Sequence, residues 1–113
     1  MVKPESAIEN YLHDLCKTHG FLYFKFVSPQ NLGVPDRIMI GHGLTVFVEL
    51  KAPGQKPRIS QVKRFSQMRQ YGAQVYVVST KHEADLLINK LTPANFKSHK
   101  TKPKSIRYKI QHI

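Results

Sequence analysis

The sequence predicts an α/β fold, a mixed central β-sheet flanked by helices, and three observations predict it. Stretches of helical and of strand periodicity follow one another in the order α-β-β-β-α-β-α. Gly41-His42-Gly43 is a short glycine turn between two strand-like runs, as in a hairpin. Gly20, Gly72 and the Pro/Gly-rich "APGQKPRI" punctuate the boundaries between the two kinds of segment.

The first helix is "PESAIENYLHDLCKTHG", with Pro4 near its first turn, Gly20 as its stop, and Ile8, Leu12, Leu15 and Cys16 on one face. "FLYFKFV", Phe21 to Val27, reads as a strand and "SPQNLG" as a loop. "DRIMIG" and "LTVFVELK" are the two hairpin strands. Ser60 is placed to cap the second helix, "QVKRFSQMRQY", in which Val62, Phe65 and Met68 or Arg69 recur at helical spacing. "AQVYVVS" is a buried strand, and Thr80-Lys81-His82-Glu83 has the capping-box pattern of a third helix ending near Leu91. Beyond it the alternation of "SIRYKIQHI" suggests a late strand.

The 113 residues are expected to form a single domain over residues 1–95, followed by a basic extension, 96–113, that holds six Lys/Arg and no acid. Apolar residues at 41% suit a globular chain. No apolar run approaches a membrane span, "MVKPESAIEN" lacks an apolar signal segment, and Cys16 is the single cysteine, so a reducing cytoplasm is the expected setting. The net charge of +11 favours polyanionic partners. Nucleic acid ranks ahead of anionic lipid because no amphipathic membrane helix accompanies the charge.

Against 18 Lys+Arg the chain has only 7 Asp+Glu, yet two of these acids lie in the hairpin. Alternation puts Val46, Val48 and Leu50 on one face of their strand and Phe47, Glu49 and Lys51 on the other, with Glu49 and Lys51 roughly 7 Å apart along the strand. By itself Glu-x-Lys also fits a solvated edge carrying a weak ion pair. Asp36 follows Gly33-Val34-Pro35, and the hairpin brings it back beside Glu49. Two adjacent carboxylates repel unless a proton or cation lies between them. Oxygen ligands without His or Cys suit Mg²⁺ or Mn²⁺ rather than zinc.

Glu9 sits at the margin of the apolar stripe of the first helix and is a third candidate acid, although periodicity does not separate a site role from a surface role. Glu5 lies in the same sector, where its plain role is to favour the helix N-terminus. Asp14 falls outside it. His13, Cys16 and His19 follow at i, i+3 and i+6 but offer too few ligands for zinc, and Cys16 belongs to the apolar stripe. No Ser-His-Asp order, glycine-rich phosphate loop or zinc-finger spacing is present. Lys25, Arg37, Lys56, Arg58, Lys63 and Arg64 flank the acids and are candidate phosphate contacts, which supply affinity rather than sequence readout.

Taken in order, "ESAIENYL", "KFVSP", "GVPDR", "FVELKAPG", "ISQ" and "YGAQVYVV" resemble the PD-(D/E)XK nuclease superfamily and, more narrowly, its virus-type replication-repair (VRR-NUC) branch, over Glu5 to about Ser79. The resemblance implies a restriction-endonuclease-like core. It implies Asp36, Glu49 and the Leu50 carbonyl as ligands of Mg²⁺ or Mn²⁺, with Glu9 as the helix acid, possible through water. Lys51 would orient or activate the attacking water, beside its plainer role of neutralising Glu49, and Gln61 matches the downstream glutamine. The implied activity is structure-selective cutting of branched DNA, Holliday-junction-like, by a homodimer in a bacterial or phage-infected cell. A flap- or nick-directed nuclease and an inactive basic DNA-binding module are the competing expectations.

Overall fold

The computed structural model describes residues 4–97. Helix α1 (Pro4–His19) is followed by strands β1 (Leu22–Lys25), β2 (Arg37–Gly41) and β3 (Leu44–Leu50), helix α2 (Ile59–Gln70), strand β4 (Gln74–Val78) and helix α3 (Lys81–Leu91). The order is α-β-β-β-α-β-α, as the sequence predicts. The sheet runs β1-β2-β3-β4, antiparallel across the first two junctions and parallel between β3 and β4, with α2 as the crossover.

The β2–β3 pairing closes at Gly41 opposite Leu44, leaving a two-residue turn in which His42 and Gly43 both have positive φ, 52° and 78°. That conformation matches strand twist, and Gly adopts it without penalty. His42 is held there: its Nε2 donates to the His19 carbonyl at 2.7 Å, and its ring meets Phe21 and Phe96 edge to face.

One face of the sheet carries the main core. Ile8, Leu12 and Cys16 of α1 and Ala84, Leu87, Ile88 and Leu91 of α3 cover Met39, Val46, Val48, Leu50 and Val78. The face of β3 assigned from alternation is therefore the buried one. Burial also pushes the Cys16 thiol up to about 12, so it is inert packing. The opposite face meets α2, whose buried residue is Phe65; Phe26 and Phe47 pack edge to face on that side.

Several boundaries differ from expectation. β1 is shorter than Phe21–Val27, because Phe21 turns into the core and Val27 is exposed. α2 is capped at Arg58 rather than Ser60, because the Gln61 side chain reaches back to accept from the Arg58 amide at 2.9 Å. Val62 is 54% exposed, since α2 rests on the sheet through Phe65 while Arg69 donates to the Val75 carbonyl. In α3 the Thr80 hydroxyl accepts from the Glu83 amide, but the Glu83 carboxylate reaches the Ser79 amide and hydroxyl, one residue upstream of a strict capping box. The predicted late strand, Ser105–Ile113, lies outside the described residues. Among those described, no helix is long and apolar enough to cross a membrane.

Candidate active site

The site lies where β2 begins and β3 ends. Buried Pro35 precedes Asp36, whose carbonyl accepts from the Phe26 amide at 2.8 Å and so joins the chain entering β2 to the chain leaving β1. Arg37 opposes Val48 in the β2–β3 register, which carries Asp36 to the far end of β3. There Asp36 Oδ1 accepts from the Leu50 amide at 3.1 Å. Gly33 lets the preceding loop press on α2: a Cβ at this position would stand 2.6 Å from the Ser60 carbonyl oxygen, and φ is +83°.

Glu49 is 4% exposed. Its Oε2 accepts from Lys51 Nζ at 3.1 Å and from Gln61 Nε2 at 3.0 Å, whereas its Oε1 is buried with no hydrogen-bond partner. Burial raises the protonation range of both Asp36 and Glu49 above the ordinary carboxylate values. The Asp36 charge raises Glu49 further, against the lowering influence of Lys51 and Gln61. In Asp36 the Leu50 amide and Arg37 oppose the effect of burial, and the charge of Glu5 adds to it.

An orphaned buried carboxylate oxygen next to a second desolvated carboxylate is a poor arrangement for an empty pair and a good one for a bound cation. The donor set fits a hard divalent ion.

A phage protein named "Putative nuclease p44", from Acyrthosiphon pisum secondary endosymbiont phage 1, is 37% identical over 84 residues, spanning 74% of this chain and 90% of its own. A solved VRR_NUC domain superposes with a TM-score of 0.73 at 28% identity, over 80% of this chain and 99% of its own. The chain belongs to the VRR-NUC nucleases. No protein-family model matches it.

Within this VRR-NUC nuclease the structure brings Asp36, Glu49, Lys51, Gln61 and the Leu50 backbone to one place. Glu9 joins them only through Arg37, whose guanidinium stands between it and Asp36. The Glu9 carboxylate lies 2.7 Å from Arg37 Nη2, and among the described residues no three acidic, His or Cys side chains are grouped closely enough to hold one ion. On α1 it is Glu5 whose charge acts on Asp36.

The candidate DNA contacts divide in the same way. Lys25, Lys56, Arg58 and Lys63 are exposed on the VRR-NUC domain. Arg64 is partly buried; its Nε donates to the Leu32 carbonyl and its Nη1 to Gln67. Arg37, expected on the rim, is buried because odd-numbered β2 residues face the α1 side of the sheet. Sequence reasoning missed this inward turn, and it missed Gly33 as the contact between the loop and α2. The signal for Gly33 was its place three residues before Asp36.

Proposed function

We propose that this nuclease hydrolyses phosphodiester bonds in branched DNA with Mg²⁺ or Mn²⁺ held by Asp36, Glu49 and the Leu50 carbonyl. The observation that carries the reading is the unpartnered Glu49 Oε1, buried beside Asp36 in a chain of net charge +11. A divalent ion at such a site lowers the pKa of bound water and stabilises charge on the phosphoryl oxygens.

The protein's own groups have separable roles. Leu50 N–H and Gln61 Nε2 each occupy one carboxylate oxygen, of Asp36 and Glu49 respectively, which leaves Glu49 Oε1 without a protein partner and available to an ion. Lys51 Nζ sits on the same Glu49 oxygen as Gln61, in position to hold a water by hydrogen bond and to meet developing negative charge. Glu5 is the α1 acid we assign to the site's outer margin, where it acts electrostatically on Asp36. Exposed Lys25, Lys56, Arg58 and Lys63 would hold phosphates on either side of the cut.

Two carboxylates would repel DNA if left bare, and the surrounding cations offset that repulsion. The described residues of one chain hold one such site. Resolution of a four-way junction requires two incisions, so that reading implies a homodimer with two sites related by a two-fold axis.

The test is cleavage of a labelled four-way junction, a 5′ flap, a linear duplex and single strands, with Mg²⁺, Mn²⁺ or EDTA. Symmetric paired cuts in the junction, dependent on metal and lost in Asp36→Ala, are expected. Cutting confined to the flap would replace the junction reading with a flap nuclease. Binding without cutting in either metal would leave a DNA-binding module.

A further inference from the structure

Arg37 is 7% exposed, too little for a contact with the DNA backbone, and its partners explain where it has gone. Nη2 pairs with Glu9 Oε1 at 2.7 Å. Nη1 donates to the main-chain carbonyl of Asp36 at 2.8 Å and lies 3.6 Å from Asp36 Oδ2. Its Nε is buried with no hydrogen-bond partner, as is the nearby Tyr23 hydroxyl. Burying a guanidinium with one N–H unsatisfied is costly, and a hydrophobic residue at this position would pack without that cost. Neutralising Glu9 does not by itself explain the choice, because Glu9 is only partly buried and water reaches it.

What the guanidinium does that no simpler group could is hold α1 and Asp36 at once. Its planar fork presents one nitrogen to Glu9 and the other to the Asp36 peptide. The Asp36 carbonyl is then fixed by two donors, Arg37 Nη1 and the Phe26 amide, while Leu50 N–H fixes its Oδ1. A carboxylate so held has one orientation.

We propose that Arg37, itself oriented by Glu9, is a positioning residue for Asp36. It keeps the carboxylate turned toward Glu49 and supplies positive charge from the core side, so that the pair is preassembled before an ion arrives. Groups that orient metal ligands in this way commonly change affinity for the ion by ten- to a hundredfold when removed. The inference rests on Asp36 being a metal ligand, and the experiment separates the two.

Mn²⁺ binding is measured by titration calorimetry on the full chain without DNA, for wild type, Arg37→Met, Arg37→Lys, Glu9→Gln, the Arg37→Met/Glu9→Gln double variant and Asp36→Asn. Cleavage is followed in parallel against Mn²⁺ concentration. Arg37→Met is expected to weaken Mn²⁺ binding by about tenfold. Its kcat at saturating Mn²⁺ should stay within about threefold of wild type, since preassembly is lost but the ligands remain. Glu9→Gln should shift binding in the same direction, and the double variant should be no worse than Arg37→Met, because the two act as one unit. Arg37→Lys, which keeps charge but loses the fork, should resemble Arg37→Met and serves if Arg37→Met does not fold.

Wild-type Mn²⁺ affinity in folded Arg37→Met or Arg37→Lys would overturn the proposal, as would additive losses in the double variant. A Glu9→Gln chain whose cleavage cannot be restored by excess Mn²⁺ would also overturn it and make Glu9 a ligand. Asp36→Asn binding Mn²⁺ as tightly as wild type would instead remove the metal-site reading itself.

Discussion

Gln61 Nε2 donates to Glu49 Oε2 across 3.0 Å while its Oε1 accepts from the Arg58 amide at 2.9 Å. One side chain therefore caps α2 and orients a carboxylate of the site. The amide can do this because it is donor and acceptor together. Gln61→Ala is expected to lose both: a cap contribution of about 1 kcal/mol, read as a lower urea midpoint, and roughly ten- to a hundredfold in cleavage rate. Gln61→Glu should restore the cap but place a second anion against Glu49, so stability returns further than activity does. Equal recovery of both would show that Gln61 acts only on the helix.

Asp36 carries a pH dependence of known sign. Its folded pKa is raised above the ordinary carboxylate value, chiefly by burial. The folded protein thus holds this proton more tightly than the unfolded chain. The stability gained is fully present below the unfolded pKa and is lost as pH rises through the raised folded pKa. In EDTA, a melt series from about pH 4 upward should show wild type losing Tm relative to Asp36→Asn, which keeps an acceptor for the Leu50 amide. At neutral pH Asp36→Asn is expected to be the more stable of the two without metal, and Mn²⁺ should stabilise wild type alone. A wild type more stable than Asp36→Asn in EDTA at neutral pH would contradict this.

Lys51 both neutralises Glu49 and faces the site. Lys51→Met leaves a buried carboxylate without its cation, an expected loss of about 1–3 kcal/mol in stability together with nearly all cleavage. Lys51→Arg should recover most of the stability, since an ion pair can re-form, but little of the cleavage, because the guanidinium spreads its charge over a larger, planar group. Chemical denaturation and single-turnover rates on the same preparations check the split.

Gly33 and Gly54 form a controlled pair. Both have φ near +82°, but a Cβ at Gly33 would collide with the Ser60 carbonyl, whereas nothing lies within 4 Å of one at Gly54. Gly54→Ala should cost only the backbone term, about 1 kcal/mol. Gly33→Ala should cost clearly more and also reduce cleavage, because the displaced α2 carries Gln61 away from Glu49. Equal losses in the two variants would mean that the contact between the loop and α2 does not set the site.

The parts of this fold legible in the sequence were those governed by local rules. Period-two alternation put Val46, Val48 and Leu50 on one face, which is the core face, and the Gly41–Gly43 turn fixed the pairing that carries Asp36 to the end of β3. What escaped was decided by contacts distant in sequence. Arg37 is a charged residue on a core-facing position, and only the approach of Glu9 from α1 makes that position tenable. The partner that Glu9 finds, Arg37, was likewise out of reach, because helix periodicity gives a direction and not a partner. Val62 matched the apolar spacing of α2 yet is exposed, since helical spacing cannot tell how narrow a contact the helix makes with the sheet. Gln61 rather than Ser60 satisfies the α2 cap for the same reason: the side chain was recruited by Glu49, twelve residues away.

The most direct test is the anomalous scattering of Mn²⁺ in crystals of the wild-type protein grown or soaked with the ion. A peak is expected between Asp36 and Glu49, with carboxylate oxygens from both residues at about 2.0–2.3 Å and Glu49 Oε1 among them. The peak should vanish in Asp36→Asn. Occupancy at any other cluster with this pair left bare, or a peak that survives the substitution unchanged, would contradict the assignment.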